Sequence, residues 1–296
     1  MMNNDIKLAT CPCSWGVWYP DDKEQPSWSK FLDEAKEVGH SVIELGPYGY
    51  LPADIEKLKD ELFSRDMSVC STAHMSDLIV PDALTRIRED LDKVCPLLVE
   101  LGAEYFVFMD GDELYSHPMD RNLNLKQWQH VVGVIKETAK IVKQEYGLDY
   151  AFHPHVSTCI ENEHQIIRLL NDTPDEYVNL CFDTGHHLYT GGIPEDFIKE
   201  YGSRINYYHL KDMSRTVLDK VKREKLSDND AFEMGVMVPL GVGDVDFKAV
   251  RDAINMTGFN GYAVIEQDIY PDREGLAQTY ARNNLEFALK MELGSR

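Results

Sequence analysis

A (β/α)8 barrel, an α/β fold of the TIM type, is what this sequence predicts, on three observations. The chain has 296 residues, close to the ~250 residues that one such barrel typically needs. Eight short β-rich runs alternate with longer amphipathic stretches, the pattern of βα units around a parallel sheet. No Pro/Gly/Ser tract or low-complexity segment divides the chain, so residues 1–296 read as a single domain.

The predicted strands are residues 6–11, 41–45, 68–73, 105–109, 150–153, 178–182, 205–209 and 261–266. Eight parallel strands close a barrel. Between the first two, Ser27 can cap a helix whose Phe31, Leu32, Ala35 and Val38 share one face, with Gly39 just past its end. Leu84, Ile87, Leu91, Val94 and Leu98 repeat that pattern, and Pro96 should kink or interrupt their helix. Val131, Ile135 and Val142 mark a long helix over 125–145, and Tyr280, Leu285, Phe287 and Leu289 mark a last one. Residues 214–238 exceed an ordinary βα loop and are highly charged in their first half. They read either as a helix with a lid inserted in the barrel or as a solvated excursion. The end of the chain, 292–296, reads as an appended tail.

Composition narrows the function. The net charge of -21 repels a phosphate backbone, so nucleic acid is not the expected partner. No apolar run approaches the ~20 residues that cross a bilayer, and the N-terminus lacks signal-peptide blocks. A cytoplasmic chain without a membrane partner is expected. Its six cysteines, scattered through apolar segments, read as buried reduced thiols. Cys11-Pro12-Cys13 has no second pair at zinc-knuckle spacing.

The chemistry should sit at the C-terminal ends of the strands. The last four predicted strands end in His153-Pro154-His155, Asp183-Thr184-Gly185-His186-His187, His209-Leu210-Lys211-Asp212 and Glu266-Gln267-Asp268. Any one of these is unremarkable: a strand-end histidine is often a hydrogen-bonded core residue, and a strand-end Asp often caps a helix. Four consecutive strands ending alike point to a divalent metal. Imidazole with carboxylate suits Mn, Co, Fe or Zn, and carboxylates without cysteine favour Mn or Co over structural zinc, with Mg also compatible. Glycines in residues 241–247 either admit a ligand close to the backbone or make a tight turn. They form no dinucleotide fingerprint. Trp15, Trp18, Tyr48 and Tyr50 follow the first two strands and offer flat walls for a sugar or cyclitol, or simply pack between loops. Glu44 and His74 are inward titratable groups, each a base or an orienting residue.

In these residues, together with Cys13-Ser14-Trp15-Gly16, the chain resembles the xylose-isomerase-like superfamily of sugar phosphate isomerases and epimerases. Within it, the resemblance is to the inosose (2-keto-myo-inositol) dehydratase branch of inositol catabolism. It runs in register from about residue 6 to residue 290. It implies a metal held by Glu, Asp, His and Glu from the last four strands. Asp183, His209 and Glu266 match three of these, and His153 stands where the first Glu would be. The fourth ligand is then His153, or Glu161 reaching in from the loop. The departure also removes one of the paired glutamates that epimerases use as acid and base.

The resemblance therefore implies dehydration of a cyclic polyol ketone, scyllo-inosose going to the trihydroxycyclohexane-dione. The alternative is a metal-dependent keto-sugar isomerase or epimerase. His155, Glu161 and Lys211 are the candidate bases, a lysine beside a cation being pushed toward neutrality. His186 is a candidate acid or orienting group. Trp15, Glu44, His74 and His187 are the candidates for facing the substrate, His187 also for orienting a ligand. An endonuclease of the superfamily would need a basic track, which the charge opposes, and a non-catalytic barrel would not need Asp183, His209 and Glu266. Related barrels often pair, so a homo-oligomer is compatible.

Overall fold

The computed structural model describes residues 5–111, 122–270, 272 and 275–296. In chain order the elements begin β1 (Ile6–Thr10), a 3-10 turn (Pro12–Trp15), α1 (Trp28–Val38), β2 (Val42–Glu44), α2 (Ile55–Ser64), β3 (Ser68–Ser71), β4 (Ala73–Ser76) and α3 (Ala83–Glu100). There follow β5 (Tyr105–Asp110), α4 (Leu125–Tyr146), β6 (Asp149–Phe152), α5 (Glu163–Asp172), β7 (Asn179–Asp183), α6 (Thr184–Tyr189) and α7 (Pro194–Tyr201). The chain ends with β8 (Ile205–Leu210), β9 (Asp212–Met213), α8 (Arg215–Glu224), α9 (Asp228–Glu233), β10 (Met237–Val238), α10 (Phe247–Thr257), β11 (Gly261–Ile265) and α11 (Ala277–Lys290).

The parallel sheet runs β3-β2-β1-β11-β8-β7-β6-β5-β4. Its two ends, β3 and β4, are consecutive in the chain, so the predicted third strand is one strand broken at Thr72. There the Thr72 hydroxyl turns to donate to the Gly46 carbonyl at 2.6 Å. The strand pairs with β2 before the break and β5 after it, which brings the sheet round on itself. The predicted barrel is therefore present, with nine strand segments doing the work of eight.

Alternation along the strands sorts the side chains. Ala9, Val42, Cys70, Val107, Ala151, Cys181, Tyr207 and Val264 form a separate small core inside the barrel. The intervening residues, such as Leu8, Ile43, Phe106, Phe152, Phe182 and Tyr208, join the larger core between sheet and helices. Two residues beyond Ala151, Cys181, Tyr207 and Val264 lie His153, Asp183, His209 and Glu266. The same parity that lines the interior aims all four into the mouth of the barrel.

The helices form where their signals predict. The Ser27 hydroxyl accepts from Lys30 N, and Gly39 closes α1 at φ +110°. Asn124 and Gln127 make a reciprocal capping box at the start of α4. Pro96 does not interrupt its helix: α3 is continuous through it. Ile87, Leu91, Val94, Cys95 and Leu98 are buried on both sides of it, and this packing carries the last turn past the missing hydrogen bond.

Residues 214–238 hold two helices and a strand. They fold as α8 and α9 between the two short antiparallel strands β9 and β10. Asp228 at the start of α9 accepts from Tyr189 Oη at 2.6 Å and Ser157 Oγ at 2.7 Å. The 241–247 glycines serve a turn. Asp212 accepts from the backbone N–H of Gly241, Gly243 and Val245 at 2.9, 2.9 and 3.1 Å. A Cβ on Gly243 would collide with that carboxylate. The last residues pack into the fold: Ser295 pairs with β1 through Leu8 N and Ile6 O, and Leu293 is buried. All six cysteines are free thiols, five of them buried. Among the described residues, no helix is long and apolar enough to cross a membrane.

Candidate metal centre

Four strand ends converge at the mouth of the barrel. His153 follows β6, Asp183 ends β7, His209 lies in β8 and Glu266 follows β11. One ligand atom from each falls within 4.8 Å of all the others. These side chains are buried, so unpaired polar atoms among them are costly. Yet no well-aligned hydrogen bond reaches His153 Nδ1, Asp183 Oδ2, His209 Nδ1 or Glu266 Oε2, although His209 Nδ1 and Glu266 Oε2 face each other at 2.8 Å and the Lys211 ammonium lies beside both carboxylates. Four converging ligand atoms, two imidazole and two carboxylate, fit a divalent ion. Glu161 is not part of this set. Its Oε2 accepts from Ser157 N at 2.9 Å and holds the loop after β6, so of the two alternatives for the fourth ligand the geometry brings in His153.

Asp183 reconciles the two readings of a strand-end aspartate. Its Oδ1 caps α6 by accepting from His186 N at 2.8 Å, and its Oδ2 faces the other three donors. Burial pushes its pKa up to about 6, against the pull of Lys211. Glu266 also suffers burial, but Lys211 and His209 beside it hold its carboxyl well below the usual range.

Lys211 is almost completely buried, which is rare for lysine. Its Nζ lies 2.9 Å from Asp268 Oδ2, 3.1 Å from Glu266 Oε2 and 3.4 Å from Asp183 Oδ2. Burial works against its charge, but these carboxylates outweigh burial and raise its pKa well above the ordinary lysine value. The ammonium also donates to His186 Nε2 at 2.9 Å. The His186 ring lies 3.9 Å from that of His155. His155 Nδ1 donates to the Val156 carbonyl at 2.7 Å, which makes Nε2 the basic nitrogen of the neutral ring. Burial holds that ring neutral by lowering its pKa to about 4.

The chain matches the xylose isomerase-like TIM barrel family over residues 32–288, most of its length. It belongs to that family. It is 26% identical over 298 residues to the inosose dehydratase of Clostridium perfringens (strain 13 / Type A), covering 98% of this chain and 96% of that protein. Its fold is similar to that of the IolI protein solved with a bound zinc atom, with a TM-score of 0.72 at 17% identity, covering 97% of this chain and 98% of that one. It is also similar to the probable 3-DHS dehydratase AsbF of Bacillus anthracis, with a TM-score of 0.74 at 16% identity, covering 96% and 99%.

In this member of the family a cavity of about 110 Å³ reaches two of the four ligands, His153 and Glu266. His153, His155, Glu266 and Asp268 border it on one side, and Trp18, Met75, Met109 and Phe232 are among its apolar walls. A larger groove of about 720 Å³ runs between α4 and α5 on the outer surface, lined by Trp128, Ile167 and Arg168. Among the described residues, no such set of ligand atoms converges in it.

The aromatic wall is Trp18, not Trp15. The Trp15 indole is turned outward, donating to Glu34 Oε2 at 2.9 Å and packing edge-on against Phe31. His74 also faces away, because alternation sends its neighbours Ala73 and Met75 to the cavity. Its Nε2 lies 3.4 Å from Asp90 on α3. His187 packs between Phe182 and Phe197, with Nε2 3.1 Å from Glu163. Glu44 borders the cavity but is 1% exposed and sits behind His209. Asp268 stands in the strand-end motif Glu266-Gln267-Asp268 without a role of its own, and Phe232 carries no sequence signal. Asp268 lies two residues past Glu266, and that spacing was the available signal. Phe232 arrives on α9 from a distant segment, which only the tertiary fold could show.

Proposed function

We propose that this chain is a divalent-metal hydro-lyase that removes water from a small cyclic polyol ketone, with scyllo-inosose as the substrate to test. The observation that carries the reading is the convergence of four ligand atoms from four strand ends, with His153 at the first. His153, Asp183, His209 and Glu266 would hold the ion, with Mn or Co the favoured metals and Zn compatible. When bound, the ion supplies Lewis-acid stabilisation of the charge that develops on the ketone oxygen. With His153 in place of a glutamate, the two-carboxylate acid–base pair of an epimerase is incomplete, which favours elimination over epimerisation.

The chain's own residues then divide the proton work. His155 Nε2 takes the proton from the carbon next to the ketone. Lys211, held protonated, supplies through Asp268 the proton that leaves with the β-hydroxyl as water. One carbon–hydrogen and one carbon–oxygen bond break and one carbon–carbon π bond forms. Between turnovers His155 releases its proton to solvent and Lys211 regains one from solvent, so the cycle balances. Trp18 and Phe232 cover the ring. Residues 214–238 act as a cover on one barrel domain, bringing Phe232 over the site.

The test uses metal-stripped protein and scyllo-inosose, with and without added Mn or Co, followed by ultraviolet absorbance. A diketone band that grows only with metal is the expected result. Asp183→Ala and Glu266→Ala should abolish both metal retention and the band. If both variants keep metal and full turnover, the site is misassigned. Turnover without a chromophore would move the reading to a keto-sugar isomerase or epimerase.

A further inference from the structure

Behind the four donors lies a second row of polar groups deep inside the barrel. Glu44 Oε1 is 3.3 Å from His209 Nε2 and accepts from Ser71 Oγ at 2.7 Å. Ser71 Oγ is in turn 2.7 Å from Tyr207 Oη, which lies 3.1 Å from Cys70 Sγ. All these residues are at most 1% exposed. They come from β2, β3 and β8, so the row crosses the barrel interior and is not a local accident of one loop.

The donor directions in this row are determined. A carboxylate only accepts, so Ser71 and His209 must both donate to Glu44. The single Ser71 hydrogen is then committed, and Tyr207 must donate to Ser71. His209 consequently carries its hydrogen on Nε2. In the neutral ring the lone pair is on Nδ1, the atom 2.8 Å from Glu266 Oε2 and 4.0 Å from Asp183 Oδ2.

We infer that Glu44, locked by Ser71 and Tyr207, is a positioning residue that sets the tautomer and direction of His209 and so the metal affinity of the site. This deepens the metal-centre reading and rests on it. Glu44 touches neither the ion nor the reacting atoms. Its charge raises the basicity of the imidazole it holds, and the loss of such an outer partner typically weakens metal binding roughly 10- to 100-fold.

The test is direct titration of metal-stripped protein with Co2+, read by visible absorption, for the wild type, Glu44→Gln and Ser71→Ala. Circular dichroism and melting of the metal-free proteins report folding separately. Glu44→Gln should bind Co2+ at least roughly tenfold more weakly, with an altered ligand-field spectrum. Ser71→Ala, which frees the carboxylate to turn, should shift in the same direction by a smaller factor and serves if Glu44→Gln does not fold. Folded variants with wild-type affinity and spectrum would overturn the inference and leave the metal centre standing. A wild-type chain that binds no Co2+ would overturn both.

Discussion

At His40 burial creates a titration the fold must resist. The residue follows the Gly39 end of α1, is 2% exposed, and neither ring nitrogen has a hydrogen-bond partner. Burial, with a smaller push from Arg296, lowers its pKa to about 3. The unfolded chain therefore binds more protons than the folded one below the ordinary histidine value. The stability is fully present above about pH 6.5 and drains away as pH falls toward the folded value. Between pH 6.5 and pH 5 this one residue should cost about 2 kcal/mol. Urea unfolding at the two pH values measures it, and His40→Leu should flatten the difference by about that amount. Equal slopes in both proteins would refute the assignment. Asp183 shows the opposite economy: one oxygen caps a helix and the other faces the metal donors, so a single residue joins local structure to chemistry.

Helix α3 shows how packing overrides propensity. Proline inside a helix typically costs ~3 kcal/mol, yet α3 runs unbroken past Pro96 because the buried stripe continues on both sides. The ring itself is exposed. Pro96→Ala restores an N–H to the ladder and should stabilise the protein by about 1–2 kcal/mol, partly offset by a freer unfolded chain. Thermal or urea unfolding checks this, and a destabilised variant would mean that the helix is bent to suit the ring. The segment with α8 and α9 makes the complementary point. Its charges face solvent, but Leu218, Val221 and Ala231 are buried, and its hydrogen bonds to Ser157 and Tyr189 fix Phe232 over the cavity.

Over the whole molecule, the proposed metal ligands join β6, β7, β8 and β11, which are contiguous in the sheet. An ion held there ties together half the barrel and is absent from the unfolded chain. Binding at 100 times the dissociation constant then adds about 2.7 kcal/mol. Chelation should lower the melting temperature, re-addition of Mn or Co should restore it, and Glu266→Ala should remove the response. An unchanged melt in a protein verified to bind and release metal would contradict this coupling.

The sequence by itself determined the repeating βα architecture and the strand-end positions of His153, Asp183, His209 and Glu266. Alternation and amphipathic periodicity are properties of neighbours along the chain, and parity alone aims residues two apart to one side. The sequence also carried the resemblance from which the family followed. Only the tertiary structure decided which polar residues meet. His74 and His187 face the helices, Trp15 yields the cavity wall to Trp18, and Glu161 holds a loop. Glu44 becomes the neighbour of His209 across 165 residues, and Asp268 that of Lys211 across 57. Such pairings depend on where closure of the barrel places strands distant in the chain, and no local pattern encodes that distance.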